Sequence, residues 1–319
     1  MSEVDIIPII DLACLSSTPS LTEFNTLAQE LKKNYSELGF AYVSNHGIRQ
    51  ADIDAVFEQT KRFHALAEQE KTLVKQGSSL MGYIPLESST LKISSLGSAT
   101  RANQTSGYVI YNESSNEHYR AVLQSYLGPN QWPSEHLLPG FKTVLLTYAE
   151  QLSQLMRRLI QVFSFALHGN EQTFDHYFIN PTVFLRLQYY PPQPKTIPCD
   201  QYGLAPHTDY GGLTLLAQEK IGGLQIRMPN GTWVDVPPKP DMFILNIGDM
   251  MRLISNDCLI ATPHRVMNLS GVKRYSVPLF FDPDLRAKIP VRSPNAQIGD
   301  IVYGEHLLER VKNNYTLEV

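Results

Sequence analysis

The stretch APHTDYGGLTLLAQ, Ala205–Gln218, sets an imidazole and a carboxylate two positions apart, His207 and Asp209, just before an apolar run with strand character. On an extended chain, residues i and i+2 face the same way. The spacing therefore predicts that both side chains are offered to one point. Alone the pair carries little weight, because a chain with nine histidines can produce it by chance. The surrounding sequence decides how it reads.

From Thr182 onward the chain is a series of short apolar runs: TVFLRLQYY, LTLLA, LQIR, WVDV, MFILNI and YSVPLFF. Turn-forming pieces such as PPQPK, IGG, PNGTW and PPKPD separate them. Short strands with frequent turn signals predict a sandwich, barrel or jelly roll, and the Asn-Gly pair of PNGT suits a tight hairpin. Upstream the period changes. Phe24, Leu27, Leu31, Tyr35 and Leu38 recur at helical spacing, FAYV (Phe40–Val43) reads as a strand, and Ile53, Val56, Phe57, Thr60 and Phe63 line a second helix. Phe141–Leu167 carries the most regular apolar stripe, which core packing explains. Residues 72–119 are rich in Ser, Thr, Asn and Gly without a period, and read as a long loop of the kind used as a lid or binding loop, or as a solvated insertion. The expected fold is α+β, a double-stranded β-helix (jelly-roll) core flanked by N-terminal helices. One unit is expected over 1–319: a mainly helical region, 1–175, and a jelly-roll core with a C-terminal helix, 176–319.

Composition narrows the function. With 43% hydrophobic and 18% charged residues the chain can build a sizeable core, and a net charge of −4 offers no electrostatic case for nucleic acid or an anionic membrane. The N-terminus lacks a basic region leading into an apolar run, and Val144–Leu167 is broken by Glu150, Arg157 and Arg158, so neither a signal peptide nor a membrane span is expected. Three scattered cysteines form no CxxC pair, which points to the cytoplasm.

Further residues strengthen the His–Asp pair. Well downstream, in ATPHRVMN, stands His264. Strands distant in sequence become neighbours in a jelly roll, so His264 is a reasonable third ligand. Two imidazoles and one carboxylate on one face leave three positions of an octahedral metal open, the arrangement of non-haem Fe(II) oxygenases. Structural zinc would want a fourth ligand, and none is evident. Arg274 and Ser276, again i and i+2, follow in KRYSVPLFF. A guanidinium fork and a hydroxyl suit a carboxylate. In FLRLQYYPPQP, Phe184, Arg186, Gln188 and Tyr190 share one strand face, while Val183, Leu185, Leu187 and Tyr189 share the other, apolar one. Buried polar groups need partners, which a site would supply.

In order along the chain, IPIIDLACL, GFAYVSNHGI, YYPPQP, HTDYGGLTLLAQEKIGGLQI, NGTWVDVPP, LNIGDMMRLISND, ATPHRVMN and RYSVPLFFDP resemble the isopenicillin N synthase-like branch of Fe(II)- and 2-oxoglutarate-dependent dioxygenases. The resemblance covers nearly the whole chain. It implies that His207, Asp209 and His264 ligate Fe(II), that Arg274 and Ser276 hold the distal carboxylate of 2-oxoglutarate, and that Tyr190 and Gln188 contact this cosubstrate. It implies O2 as the oxidant and Arg186, Phe280 and Tyr108 as residues facing a small-molecule substrate, an anionic one if Arg186 does so. The implied reaction couples decarboxylation of 2-oxoglutarate, to succinate and CO2, with C–H hydroxylation, desaturation or ring closure, in specialised metabolism. Two features depart from the family pattern: Gln193 replaces the cysteine of the plant-type YYPPCP block, and RANQTSGYVIYNES lacks the acidic-basic pattern of many relatives. Isopenicillin N synthase and aminocyclopropanecarboxylate oxidase keep these motifs without using 2-oxoglutarate, so an oxidase of that type is the nearest alternative. A non-catalytic jelly-roll binding protein is a more distant one.

Overall fold

The structure is a computed structural model that describes residues 7–77, 79–91, 99–113, 117–194, 196–291 and 299–314. In chain order its elements are β1 (Ile9–Asp11), α1 (Leu21–Glu37), β2 (Phe40–Ser44), α2 (Gln50–Ala65), α3 (Glu68–Thr72), β3 (Gly82–Ile84), β4 (Ser106–Tyr111), α4 (Glu117–Leu127) and α5 (Phe141–His168). Then come β5 (Thr182–Tyr190), β6 (Leu204–His207), β7 (Leu213–Gln218), β8 (Leu224–Arg227), β9 (Trp233–Asp235), β10 (Phe243–Ile247), α6 (Asp249–Ile254), β11 (His264–Val266), β12 (Arg274–Asp282), β13 (Lys288–Val291), β14 (Gly299–Val302) and α7 (Tyr303–Asn314). The expected helices and strands beyond residue 182 are present, with α7 at the C-terminal end.

The strands form an eight-stranded sheet, β1-β2-β10-β7-β12-β5-β4-β3, a four-stranded sheet, β6-β11-β8-β9, and the β13-β14 hairpin. Nearly all pairings are antiparallel; β1 and β2 run parallel. This is the jelly-roll arrangement that the alternating runs call for. β5 shows why it closes. Val183, Leu185 and Leu187 enter the main core, where α5 packs across β5, β7 and β12. Phe184, Arg186, Gln188 and Tyr190 face the opposite way, into a cavity. The smaller sheet meets the larger through a second apolar cluster that includes Phe40, Tyr42 and Ile244 from one and Leu224, Ile226 and Val266 from the other.

The helices are set by local chemistry. α1 starts at a capping box: the Glu23 amide donates to Ser20 Oγ at 3.3 Å, and the Ser20 amide donates back to Glu23 Oε2 at 2.9 Å. α5 stops at Gly169, whose φ of +69° an L side chain resists.

The stretch 72–119 differs from expectation. It contains β3 and β4, and β4 pairs along β5 with Gly107 opposite Gln188 and Tyr108 opposite Leu187. All of SGYVIY is buried, so no polar alternation marks it as a strand. Ser78, 92–98 and 114–116 of this stretch lie outside the described residues. Tyr108, expected to face the substrate, faces the core instead. It is fully buried against Phe63 and Phe141, and its hydroxyl donates to the Gln131 carbonyl. Alternation along β4 sends the next residue, Val109, to the cavity. Tyr108→Ala should therefore lower the unfolding free energy by about 3–5 kcal/mol in urea denaturation. An unchanged stability would place this ring outside the core.

Candidate active site

The cavity has a volume of about 200 Å³ and is bounded by the large sheet, the small sheet and the segments that cover them. At one end stand the three expected ligands. Register brings the histidines together: His264 on β11 lies opposite His207 at the end of β6, and their ring centroids are 4.3 Å apart. The Nδ1–H of His207 donates to Ala205 O at 2.8 Å, and that of His264 to Thr262 O at 3.1 Å. These carbonyls fix both tautomers, leaving each Nε2 with a lone pair. The two Nε2 atoms lie 3.7 and 3.6 Å from Asp209 Oδ1.

Asp209 is not on the strand that carries His207. It sits in the turn after β6, so the simple same-face argument does not place it. Backbone hydrogen bonds do. The amides of Gly248, Asp249 and Met250, at the start of α6, donate to the carbonyls of Gly212, Asp209 and Gly211 at 2.7, 2.8 and 2.9 Å. The turn is too tightly held for side chains. A Cβ on Gly211 would stand 1.7 Å from Asp282 Oδ1, and one on Gly212 2.5 Å from Phe281 O. Asp209 Oδ2 is occupied by the protein, accepting from Thr214 Oγ1 at 2.6 Å and Asn246 Nδ2 at 2.7 Å. Thr214 and Asn246 are themselves a register pair of β7 and β10. The sequence reading missed both, although an asparagine inside the apolar run MFILNI signals a buried group in need of a partner.

Electrostatics favour metal binding. Burial, followed by the adjacent His264, holds the His207 imidazole below its ordinary range and so neutral. Burial alone would raise Asp209, but the two imidazoles and the hydrogen bonds from Thr214 and Asn246 outweigh it and keep the carboxyl ionised. One donor atom from each of the three lies within 4.8 Å of the others. Two imidazole nitrogens and one carboxylate oxygen fit Fe(II) with positions left open. Among the described residues this is the one such group of metal-binding side chains.

Arg274 and Ser276 lie deeper, on β12 beside β5 and β7. The Arg274 guanidinium is buried, donates to Gln218 Oε1 at 3.0 Å and to Ser276 Oγ at 3.4 Å, and stacks 4.7 Å from the Tyr190 ring centroid. Arg186, Gln188, Tyr190 and Phe280 line the same cavity. Much of the remaining lining is apolar. Leu80, Met81, Ile84, Leu91 and Val109 come from the 72–119 stretch, and Leu307 and Val311 come from α7. α7 is latched down: Tyr303 donates to Asp282 Oδ2 at 2.5 Å and Asn314 donates to Tyr210 Oη at 2.5 Å.

Jelly-roll sheets closing on two imidazoles and one carboxylate define a non-haem iron oxygenase. The family model described as the 2OG-Fe(II) oxygenase superfamily matches residues 181–283, and one described as non-haem dioxygenase in morphine synthesis N-terminal matches residues 7–135. The chain is 30% identical to a homoarginine-6-hydroxylase of Glycine max, over 97% of each chain. It is 28% identical to a 2-oxoglutarate-dependent dioxygenase of Monascus ruber, over 98% of this chain and 97% of that one. Among solved structures it resembles a full-length Neurospora crassa enzyme in complex with alpha-KG and thymine, with a TM-score of 0.81, 25% identity and 96% of each chain covered. The chain belongs to the 2OG-Fe(II) oxygenase superfamily. It is an Fe(II)- and 2-oxoglutarate-dependent dioxygenase that uses O2 and acts on a small molecule.

Two measurements test how the site is held. Thr214→Val removes one donor to Asp209 while keeping the side-chain shape, and should lower iron affinity by about 10–100-fold in an anaerobic titration. Equal affinity would show that this bond does not position the carboxylate. The second concerns Asp282, whose carboxyl burial pushes up to about 7. Its unfolded value is about 3.9, so the folded protein binds this proton more tightly. Stability is therefore lost as pH rises from about 4 through about 7. With chelator present, wild-type unfolding free energy should fall across this window by up to about 4 kcal/mol more than that of Asp282→Asn. Parallel curves would refute the shift.

Proposed function

We propose that His207, Asp209 and His264 ligate Fe(II) through Nε2, Oδ1 and Nε2, that Arg274 and Ser276 with Tyr190 hold the distal carboxylate of 2-oxoglutarate, and that the primary substrate is a small, largely apolar molecule bearing an anionic group. In this reading residues 1–319 act as one dioxygenase unit in the cytosol. Among the described residues no helix is long and apolar enough to cross a membrane, and Cys14, Cys199 and Cys258 are free thiols.

The observation that carries the cosubstrate assignment is the state of Arg274. Its guanidinium is 1% exposed, its hydrogen-bond partners Gln218, Ser276 and Tyr190 are neutral, and the nearby Glu219 carboxylate is already paired with Lys61 at 2.5 Å. A buried cation is costly without a counter-charge, and a carboxylate meeting its planar fork supplies both charge and hydrogen bonds. Burial does lower the basicity of this guanidinium, but from so high a starting value that it stays protonated. Bound iron and 2-oxoglutarate supply the oxidising chemistry for C–H hydroxylation, desaturation or ring closure. The protein orients both, and its apolar walls keep water away from them. On the substrate side, Arg186 offers a guanidinium from a wall that is otherwise mainly aliphatic and aromatic, which supports an anionic substrate.

Adding 2-oxoglutarate to the Fe(II) protein without oxygen should give a weak visible charge-transfer band, absent in His264→Ala. Arg274→Ala should raise the 2-oxoglutarate requirement at least about tenfold. An unchanged requirement refutes the clamp. Substrate turnover without consumption of 2-oxoglutarate would place the chain with the independent oxidases.

A further inference from the structure

Gln188 lines the cavity wall, and one of its two amide N–H groups is committed within the protein. Its Nε2 donates to Thr105 Oγ1 at 3.0 Å. Thr105 Oγ1 donates in turn to Tyr189 O at 3.0 Å, so its single proton is used and it accepts from Gln188. That chain settles which way the amide points. The remaining atom, Gln188 Oε1, is buried and has no hydrogen-bond partner among the described residues.

A carbonyl oxygen only accepts, and every oxygen of the 2-oxoglutarate dianion only accepts as well. The two cannot bond. A donor stands beside Oε1 instead. A Cβ on Gly107 would lie 2.5 Å from Gln188 Oε1 and 3.0 Å from Arg186 Nε. Both atoms thus lean on the same bare patch of β4 backbone, where Gly107 is the register partner of Gln188.

We propose that Gln188 and Gly107 are positioning residues that orient the Arg186 guanidinium to select a carboxylate-bearing substrate, and that Gln188 does so through Oε1, an atom that cannot bond 2-oxoglutarate. Gln188 Oε1 accepts the Nε–H as Arg186 turns onto the substrate, leaving both terminal nitrogens for a bidentate grip on the carboxylate. Gly107 supplies the room in which this happens. The inference rests on the anionic-substrate reading above and names the device behind it.

The test uses the Fe(II)- and 2-oxoglutarate-loaded protein without oxygen, with phenylacetate and phenylacetamide as probes of one apolar skeleton. Dissociation constants are read by saturation-transfer NMR, and that of 2-oxoglutarate by titrating the visible band. Wild type should prefer the carboxylate by about tenfold. Gln188→Leu and Gly107→Ala should cut this to about twofold or less, while 2-oxoglutarate binding stays within about twofold. Gln188→Glu keeps an acceptor but neutralises Arg186, and should turn the preference toward the amide. A full preference in Gln188→Leu overturns the proposal. So does a tenfold or greater loss of 2-oxoglutarate binding in that variant, roughly one charged contact, which would return Gln188 to the cosubstrate. A wild type without preference overturns the anionic reading itself and this inference with it, while a normal visible band leaves the iron assignment standing.

Discussion

The divided carboxylate of Asp209 is the constraint on which the site depends. One oxygen is spent on Thr214 and Asn246, and the other is turned toward two imidazole nitrogens. A buried carboxylate is stable only if its charge is met, and the protein meets half of that demand. Thr214 and Asn246 belong to the large sheet, and His207 and His264 to the small one. The iron position is therefore defined only where the two sheets close on each other. This links the jelly-roll topology to the chemistry directly, because neither sheet carries the full donor set.

A second constraint follows from the turn that bears Asp209. Its glycines let the backbone pass against Asp282 and Phe281, and the Gly212 amide donates to Asp282 Oδ1 at 2.9 Å. Asp282 also accepts from Tyr303, the first residue of α7. One carboxyl thus touches both the turn that bears Asp209 and the helix that lends Leu307 and Val311 to the cavity wall. Tyr303 at the start of α7 and Gly212 of the turn that bears Asp209 are held by the two oxygens of one buried carboxyl.

The sequence was legible wherever side-chain alternation or polar spacing mattered. β5 and β12 were readable because one face is core and the other is site, so Arg186, Gln188, Tyr190, Arg274 and Ser276 stood out against apolar neighbours. The metal residues were readable from residue type and order, although Asp209 owes its place to a turn clamped by α6 and not to strand geometry. β4 was hidden because both of its faces are buried. Tyr108 was misassigned for the same reason: without alternation, no residue type along SGYVIY tells which side looks into the cavity. The donors Thr214 and Asn246 were hidden inside runs that look like ordinary core strand.

The division has a physical origin. The residues assigned to iron and 2-oxoglutarate cluster on register-paired strands, β6 with β11 and β5 with β12, with Asp209 braced by the β7–β10 pair. Backbone ladders fix such positions, and their patterns repeat along the chain. The apolar wall of the cavity is built differently. Its aliphatic residues come largely from the stretch around residues 80–91, where β3 spans only Gly82–Ile84, and from α7, so strand alternation marks few of them. A leucine there reads as core whether it packs against protein or against substrate. β4 carries the ladder to this wall, with Val109 paired to Arg186 and Gly107 lying under Arg186 and Gln188. A side chain at Gly107 would meet Gln188 Oε1 at 2.5 Å and Arg186 Nε at 3.0 Å, so the bare backbone there is what lets both side chains lie across β4.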